Sequence, residues 1–220
     1  MTFSILAQDS SSGAFAGAAA TGSLCVGGWV LRGDSRAGLS ASQGAAPSTM
    51  WGEDALDLMR NGLSAQDTVT SLITVDRGRD WRQLAVLDRA GNTACHTGDS
   101  NTDWKGALIA PGLVVSGNLL AGAHVLQALR DTYLGTTGHV AQRLIAALSA
   151  AETAGGDTRG LQSAALLVVS DDAPPLSLRV DWAEHPIPAL DELYSRSQSG
   201  DYAAWLPTVP TRNNPERGHD

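Results

Sequence analysis

The chain has 220 residues, 43% of them hydrophobic and 17% charged, with a formal net charge of −8 and a mean hydropathy of −0.08. That balance excludes a disordered chain and a polytopic membrane protein, and it leaves enough apolar surface for one domain to fold without disulfides or metals. Lys105 is the only lysine among 15 basic residues and no basic stripe runs along the chain, so nucleic-acid binding is set aside.

Residues 2–7 alternate around Phe3, Ile5 and Ala7, and Asp9-Ser-Ser-Ser-Gly13 then breaks the run. With 14–21 this predicts a hairpin closed by small polar residues. Residues 24–31 and 37–42 read as two further short strands. Residues 10–31 carry no charge, but five glycines interrupt them, so they read as buried strands and turns and no membrane span is expected. Trp51, Ala55, Leu58 and Met59 recur at helical spacing up to Gly62, and Ser64 is placed to cap a second helix through Val69, Leu72 and Ile73. Strands follow at 83–87 and 93–97 around Asp88–Asn92, then at 107–109 and 113–116 around Pro111-Gly112. A second helix pair is expected over 121–133 and 140–154, ended by Gly155-Gly156-Asp157. The last hairpin spans 162–169 and 176–180, and Pro188 opens a short helix. Residues 1–205 are read as one domain and 206–220 as a proline-containing arm, extended or frayed and able to reach a neighbour in a homodimer or larger assembly.

Helices arrive in pairs between hairpins, which argues against a parallel sheet with single crossovers. Two stacked antiparallel sheets with a helix pair on each outer side, a four-layer αββα sandwich of the α+β class, bury what the pattern asks to bury. With 33 alanines and 24 glycines against 5% aromatics, the layers must sit close together.

Thr2 follows the initiator Met1, and removal of Met before a small residue would leave Thr2 with a hydroxyl and a free α-amine. The amine has an ordinary pKa of about 7.7–8.0, so one residue would hold both nucleophile and base. After the second helix pair, two glycines precede Asp157 and Arg159. These two could pair with each other, or Arg159 could grip a substrate carboxylate through its fork of donors. Gln162 and Ser163, at the mouth of an apolar strand, could orient the Thr2 amine. Asn118, between a strand and a helix, is either an oxyanion donor or a helix cap.

His96, Asp99 and Asp103 form a loose cluster at no metal-binding spacing, and the other histidines are scattered, so no metal is assigned. Cys25 and Cys95 form no CxxC and read as buried thiols of a reducing cytoplasm. The start has no positive region and meets Asp9 early, so it is not read as a signal peptide. No glycine-rich phosphate loop leads from a strand into a helix, and no cofactor is expected.

Four blocks carry a family resemblance: Thr2-Phe-Ser-Ile-Leu-Ala-Gln-Asp9, Thr97-Gly98, Gly117-Asn118-Leu119-Leu120, and 155–168, from Gly155-Gly-Asp-Thr-Arg-Gly to Val168. Through them the chain resembles, up to about residue 195, an uncharacterised bacterial family with the N-terminal-nucleophile (Ntn) hydrolase-like fold. The resemblance implies the αββα sandwich and, by analogy with that superfamily, hydrolysis of an amide or other C–N bond in a small substrate. It supplies no substrate. Asp34-Ser35-Arg36-Ala37 matches a proteasome-subunit motif but lies too far downstream, and the superfamily's amine-tuning lysine has no counterpart other than Lys105. The expected site is therefore Thr2, Asn118 and Ser163 as catalytic residues with Asp157, Arg159 and Gln162 binding substrate. The alternative is a catalytically silent scaffold that binds a ligand or assembles.

Overall fold

The structure, a computed structural model, describes residues 2–218, so Met1 and its removal lie outside the described residues, as does His219. The first hairpin is β1 (Thr2–Gln8) with β2 (Phe15–Thr21). A single helical turn, α1 (Val26–Trp29), precedes β3 (Leu31–Asp34) and β4 (Gly38–Gly44). Helices α2 (Thr49–Arg60) and α3 (Ala65–Val75) lead into β5 (Arg82–Asp88) and β6 (Thr93–Thr97). Then come β7 (Gly106–Ala110), β8 (Leu113–Asn118), α4 (Ala123–Gly135) and α5 (Val140–Thr153). Strands β9 (Ser163–Val169) and β10 (Leu176–Val180) and helices α6 (Pro186–Ser197) and α7 (Gly200–Trp205) complete the chain.

The expected class holds: a mixed α+β protein with two antiparallel sheets. One runs β10-β9-β2-β1-β8-β7 and the other β3-β4-β5-β6. Side-chain alternation sorts the strands into three cores. Phe3, Ile5 and Ala7 of β1 face Leu126, Leu129, Leu144 and Leu148 of α4 and α5. Leu6, the intervening side, meets Leu39, Ala41, Ala85 and Leu87 of the smaller sheet. Leu84 and Val86 point the other way, onto Trp51, Ala55, Val69 and Leu72 of α2 and α3. Strand β2, mostly Ala and Gly, is buried at every residue, and its small side chains let the sheets close on it.

The predicted cap of α3 forms, and α2 has one that was not predicted. Ser64 Oγ accepts from Asp67 N at 3.2 Å, and Ser48 Oγ accepts from Trp51 N at 3.3 Å. Two expectations are corrected. Residues 24–31 are not a strand: α1 fills half of the segment, where Gly27 lies against β9 and β10. A Cβ on Gly27 would sit 2.7 Å from the Cβ of Ala165. The arm is neither extended nor frayed over its described length. Thr211 is buried, Arg212 Nε donates to Ser35 Oγ at 3.0 Å, and Asn213 Nδ2 donates to Asp172 Oδ1 at 2.6 Å. No helix among the described residues is long and apolar enough to cross a membrane.

The β1–β2 turn carries a buried charge. Asp9 accepts from the hydroxyls of Ser11 and Ser12, both at 2.6 Å, and pairs with Arg143 Nη1 at 3.0 Å. Burial opposes ionisation of Asp9, but those hydrogen bonds and the Arg143 charge outweigh it and hold its pKa below the ordinary carboxylate value. Arg143→Met should lower stability to urea by about 3 kcal/mol at neutral pH, because it strands a buried carboxylate. A carboxyl whose folded pKa is depressed stabilises above its unfolded value, near 3.8, and loses that contribution as pH falls through the folded value. The gap between wild type and variant should therefore close in acid.

Candidate functional site

Strand β1 lies between β2 and β8, and the registers pair Thr2 with both Thr21 and Asn118. Thr21 in turn pairs with Ser163 of β9. Four residues distant in sequence thus form one row across the larger sheet. Paired residues share a face, and the alternation that sends Phe3 to the helices sends this row toward the smaller sheet. From there β4 contributes Gln43 and β5 contributes Gln83, on the same side as Ala41 and Ala85. The space between the sheets is therefore apolar along most of its length and polar at one end. Ser4 and Ser116 mark the transition, with their hydroxyl oxygens 3.0 Å apart.

Seven amide and hydroxyl contacts organise this end. Gln83 Nε2 donates to the carbonyls of Gly117 at 2.9 Å and Gly106 at 3.1 Å and lies 2.9 Å from Thr97 Oγ1. Its Oε1 receives Gln43 Nε2 at 2.7 Å and Asn118 Nδ2 at 3.0 Å. Gln43 Nε2 also approaches the Thr2 carbonyl at 3.4 Å. Thr2 Oγ1 donates to Thr21 Oγ1 at 3.2 Å.

Above this floor opens a cavity of about 620 Å³. Thr2, Thr21, Gln43, Asn118 and Arg159 line it on the polar side, and Leu24, Val26, Trp29 and Val30 form an apolar wall. Leu24 and Trp29 stand at its mouth, each about half exposed.

Of the residues singled out in the sequence, Thr2, Asn118 and Arg159 meet in this cavity. The other three stand behind its wall and hold the segment between β2 and α1. Ser163 Oγ donates to the Ser23 carbonyl at 2.7 Å and accepts from Val26 N at 3.1 Å. Gln162 Nε2 donates to the Gly22 carbonyl at 3.0 Å. Asp157 is buried, accepts from Gly22 N at 2.7 Å, and forms an ion pair with Arg159 at 3.0 Å. Gly22 has to be glycine for this approach, since a Cβ there would lie 2.8 Å from Asp157 Oδ2. Of the two pairings open to Arg159 in the sequence, the one with Asp157 forms, and it aims the guanidinium at the cavity rim. Asn118 is not a helix cap; α4 starts after Gly122.

The remaining candidates are placed elsewhere. His96 Nε2 bonds the Arg79 carbonyl at 3.0 Å, and Lys105 Nζ donates to the carbonyls of Asp99 and Asn101, both at 2.8 Å. No group of three or more His, Cys, Asp or Glu among the described residues is placed to hold a metal ion. Burial pushes the Cys95 thiol up, away from the reactive thiolate. Gln43, Gln83 and Thr21 are the site residues that sequence reasoning passed over. Their signal was parity: each sits at a strand end, in step with inward apolar residues such as Leu39 and Leu87.

The chain matches the family model described as "Family of unknown function (DUF1028)" over residues 2–190 and belongs to that family. It is similar to the crystal structure of a Silicibacter pomeroyi protein of the same family, with 50% identity and a TM-score of 0.95. The match covers 100% of this chain and 99% of that one. No curated protein matches it.

Asp157→Ala should remove an acceptor from the Gly22 amide and leave Arg159 without its carboxylate. A loss of about 2–3 kcal/mol in denaturant unfolding is expected. Asp157→Asn, which can still accept from Gly22 N, should recover part of that loss.

Proposed function

We propose that this DUF1028 protein has the Ntn-hydrolase-like αββα sandwich and hydrolyses a small, carboxylate-bearing amide with Thr2 as nucleophile. One observation carries the reading: the register of β1 puts the Thr2 hydroxyl in a cavity wall, between Thr21 and Asn118, at the head of the central strand.

The chemistry needs Met1 to be removed. The Thr2 α-amine then takes the proton of the Thr2 hydroxyl as Oγ1 attacks the substrate carbonyl carbon. The carbonyl oxygen becomes an oxyanion. Asn118 Nδ2 gives one hydrogen to Gln83 and has a second to offer that oxyanion. Collapse breaks the C–N bond, and the ammonium returns its proton to the leaving nitrogen. The acyl group stays on Oγ1 as an ester. Water, deprotonated by the same amine, hydrolyses that ester and restores the hydroxyl. Arg159, steadied by Asp157, supplies a positive rim for a substrate carboxylate, while Trp29 and Leu24 cover its apolar part.

Natively expressed protein should have an intact mass lacking Met1. Thr2→Ala should abolish turnover of amide substrates with little change in melting temperature, and Thr2→Ser should retain part of it. Full activity in Thr2→Ala would overturn the assignment. Ligand affinity that survives Thr2→Ala without turnover in the wild type would instead favour a binding protein.

A further inference from the structure

The cavity floor contains a buried acceptor that the proposed reaction does not use. Gln43 is 1% exposed and lines the cavity, and its Oε1 has no hydrogen-bond partner among the described residues. A buried amide oxygen left unpaired is costly, and such atoms are rare in folded proteins.

The orientation of this amide is not a free choice. Gln83 Nε2 faces two backbone carbonyl oxygens, those of Gly106 and Gly117, which can only accept. A flipped Gln83 would set oxygen against oxygen at both. Its Oε1 must therefore point the other way, where it collects donors from both Gln43 and Asn118. That in turn obliges Gln43 to present Nε2 to Gln83 and leaves Gln43 Oε1 as the buried, unpaired end of the chain of amides. The Thr2 carbonyl reinforces the same choice, because it too accepts from Gln43 Nε2.

We infer that Gln43 Oε1 reads an N–H group on the ligand, so that the cavity takes amides bearing a hydrogen on nitrogen and discriminates against esters of the same shape. The amide that carries the acceptor reaches the Thr2 carbonyl through its Nε2 at 3.4 Å, and the N–H it reads is assigned to the bond presented to that residue. The inference deepens the hydrolase reading and rests on it for the location of that bond. It does not depend on Thr2 reacting. An ester places an oxygen lone pair against Gln43 Oε1, which leaves the acceptor unpaired and adds repulsion. This is the arrangement by which a site built to bond an N–H rejects an analogue lacking it.

The test is a matched pair of probes, N-benzoylglycine and its ester counterpart benzoyloxyacetate. Both carry a ring for the Trp29 wall and a carboxylate for the Arg159 rim. Binding is measured by calorimetry or ligand-observed NMR in the full-length Thr2→Ala protein, in which neither probe is cleaved. The amide should bind about tenfold more tightly than the ester, or better. In Thr2→Ala/Gln43→Met the preference should shrink to within about twofold, because Met fills similar volume without an acceptor. Gln43→Asn, which keeps the amide but withdraws it by one methylene, should lose the preference too and serves if the Met variant fails to fold. Equal affinity for the two probes would overturn the inference, the acceptor then serving another group such as the Thr2 amine. A preference unchanged in both Gln43 variants would overturn it as well, and so would failure of the amide to bind. An amide that binds with the predicted preference but is not cleaved by the wild type would leave Gln43 standing and remove the hydrolase reading.

Discussion

Two backbone carbonyls, those of Gly106 and Gly117, fix the Gln83 amide, and the polar end of the molecule is built outward from that contact. Backbone positions in a sheet ladder cannot adapt to a side chain; the side chain must adapt to them. Gln83 therefore turns its nitrogen to the larger sheet and its oxygen to Gln43 and Asn118. Those two residues come from different sheets, so one amide sets the relation between the sheets where they enclose the cavity. Thr2 is tied into the same set through its carbonyl. The cavity is thus shaped by neutral groups of fixed direction, with a charge pair, Asp157–Arg159, held at its rim.

Much of this was legible in the sequence. Alternation in β1 and the helical spacing of Trp51, Ala55 and Met59 identified elements correctly, because one face of each must be buried. Ser64 was legible as a cap because its chemistry is local. The segment 24–31 was not, since whether a glycine pair runs extended or turns depends on what packs against it, here Ala165 and Arg179. The tail was misread for a similar reason: prolines say that a helix stops, not that the chain leaves the surface.

The site divides along the same line. Thr2, Asn118 and Arg159 stand out by position, next to the chain start or beside glycine-rich turns. Ser163, Gln162 and Asp157 stand out equally well in the sequence, yet their polar atoms hold the wall around Ser23 and Val26. Position relative to a turn does not say which side of a loop a side chain serves. Gln43 and Gln83 are 40 residues apart in sequence and adjacent only through the β4–β5 register, which pairs them directly. Nothing short of strand pairing could bring them together.

The far end of the space between the sheets is closed in another way. Arg212 bonds Ser35 and lies 3.6 Å from both Asp34 and Asp171, so one tail residue spans the β3–β4 turn of the smaller sheet and the β9–β10 turn of the larger. Arg36, against the cost of burial, and Arg60 also hold the Asp34 carboxyl well below the ordinary range. Those groups are partly open to solvent, so dissolved ions reach them, and their attraction fades over a Debye length of about 8 Å at physiological ionic strength. The amides at the cavity end carry no net charge for ions to screen. The two ends of one seam therefore answer to different properties of the solution: added salt relaxes the clasp at Arg212 and leaves the grip on Thr2 as it was.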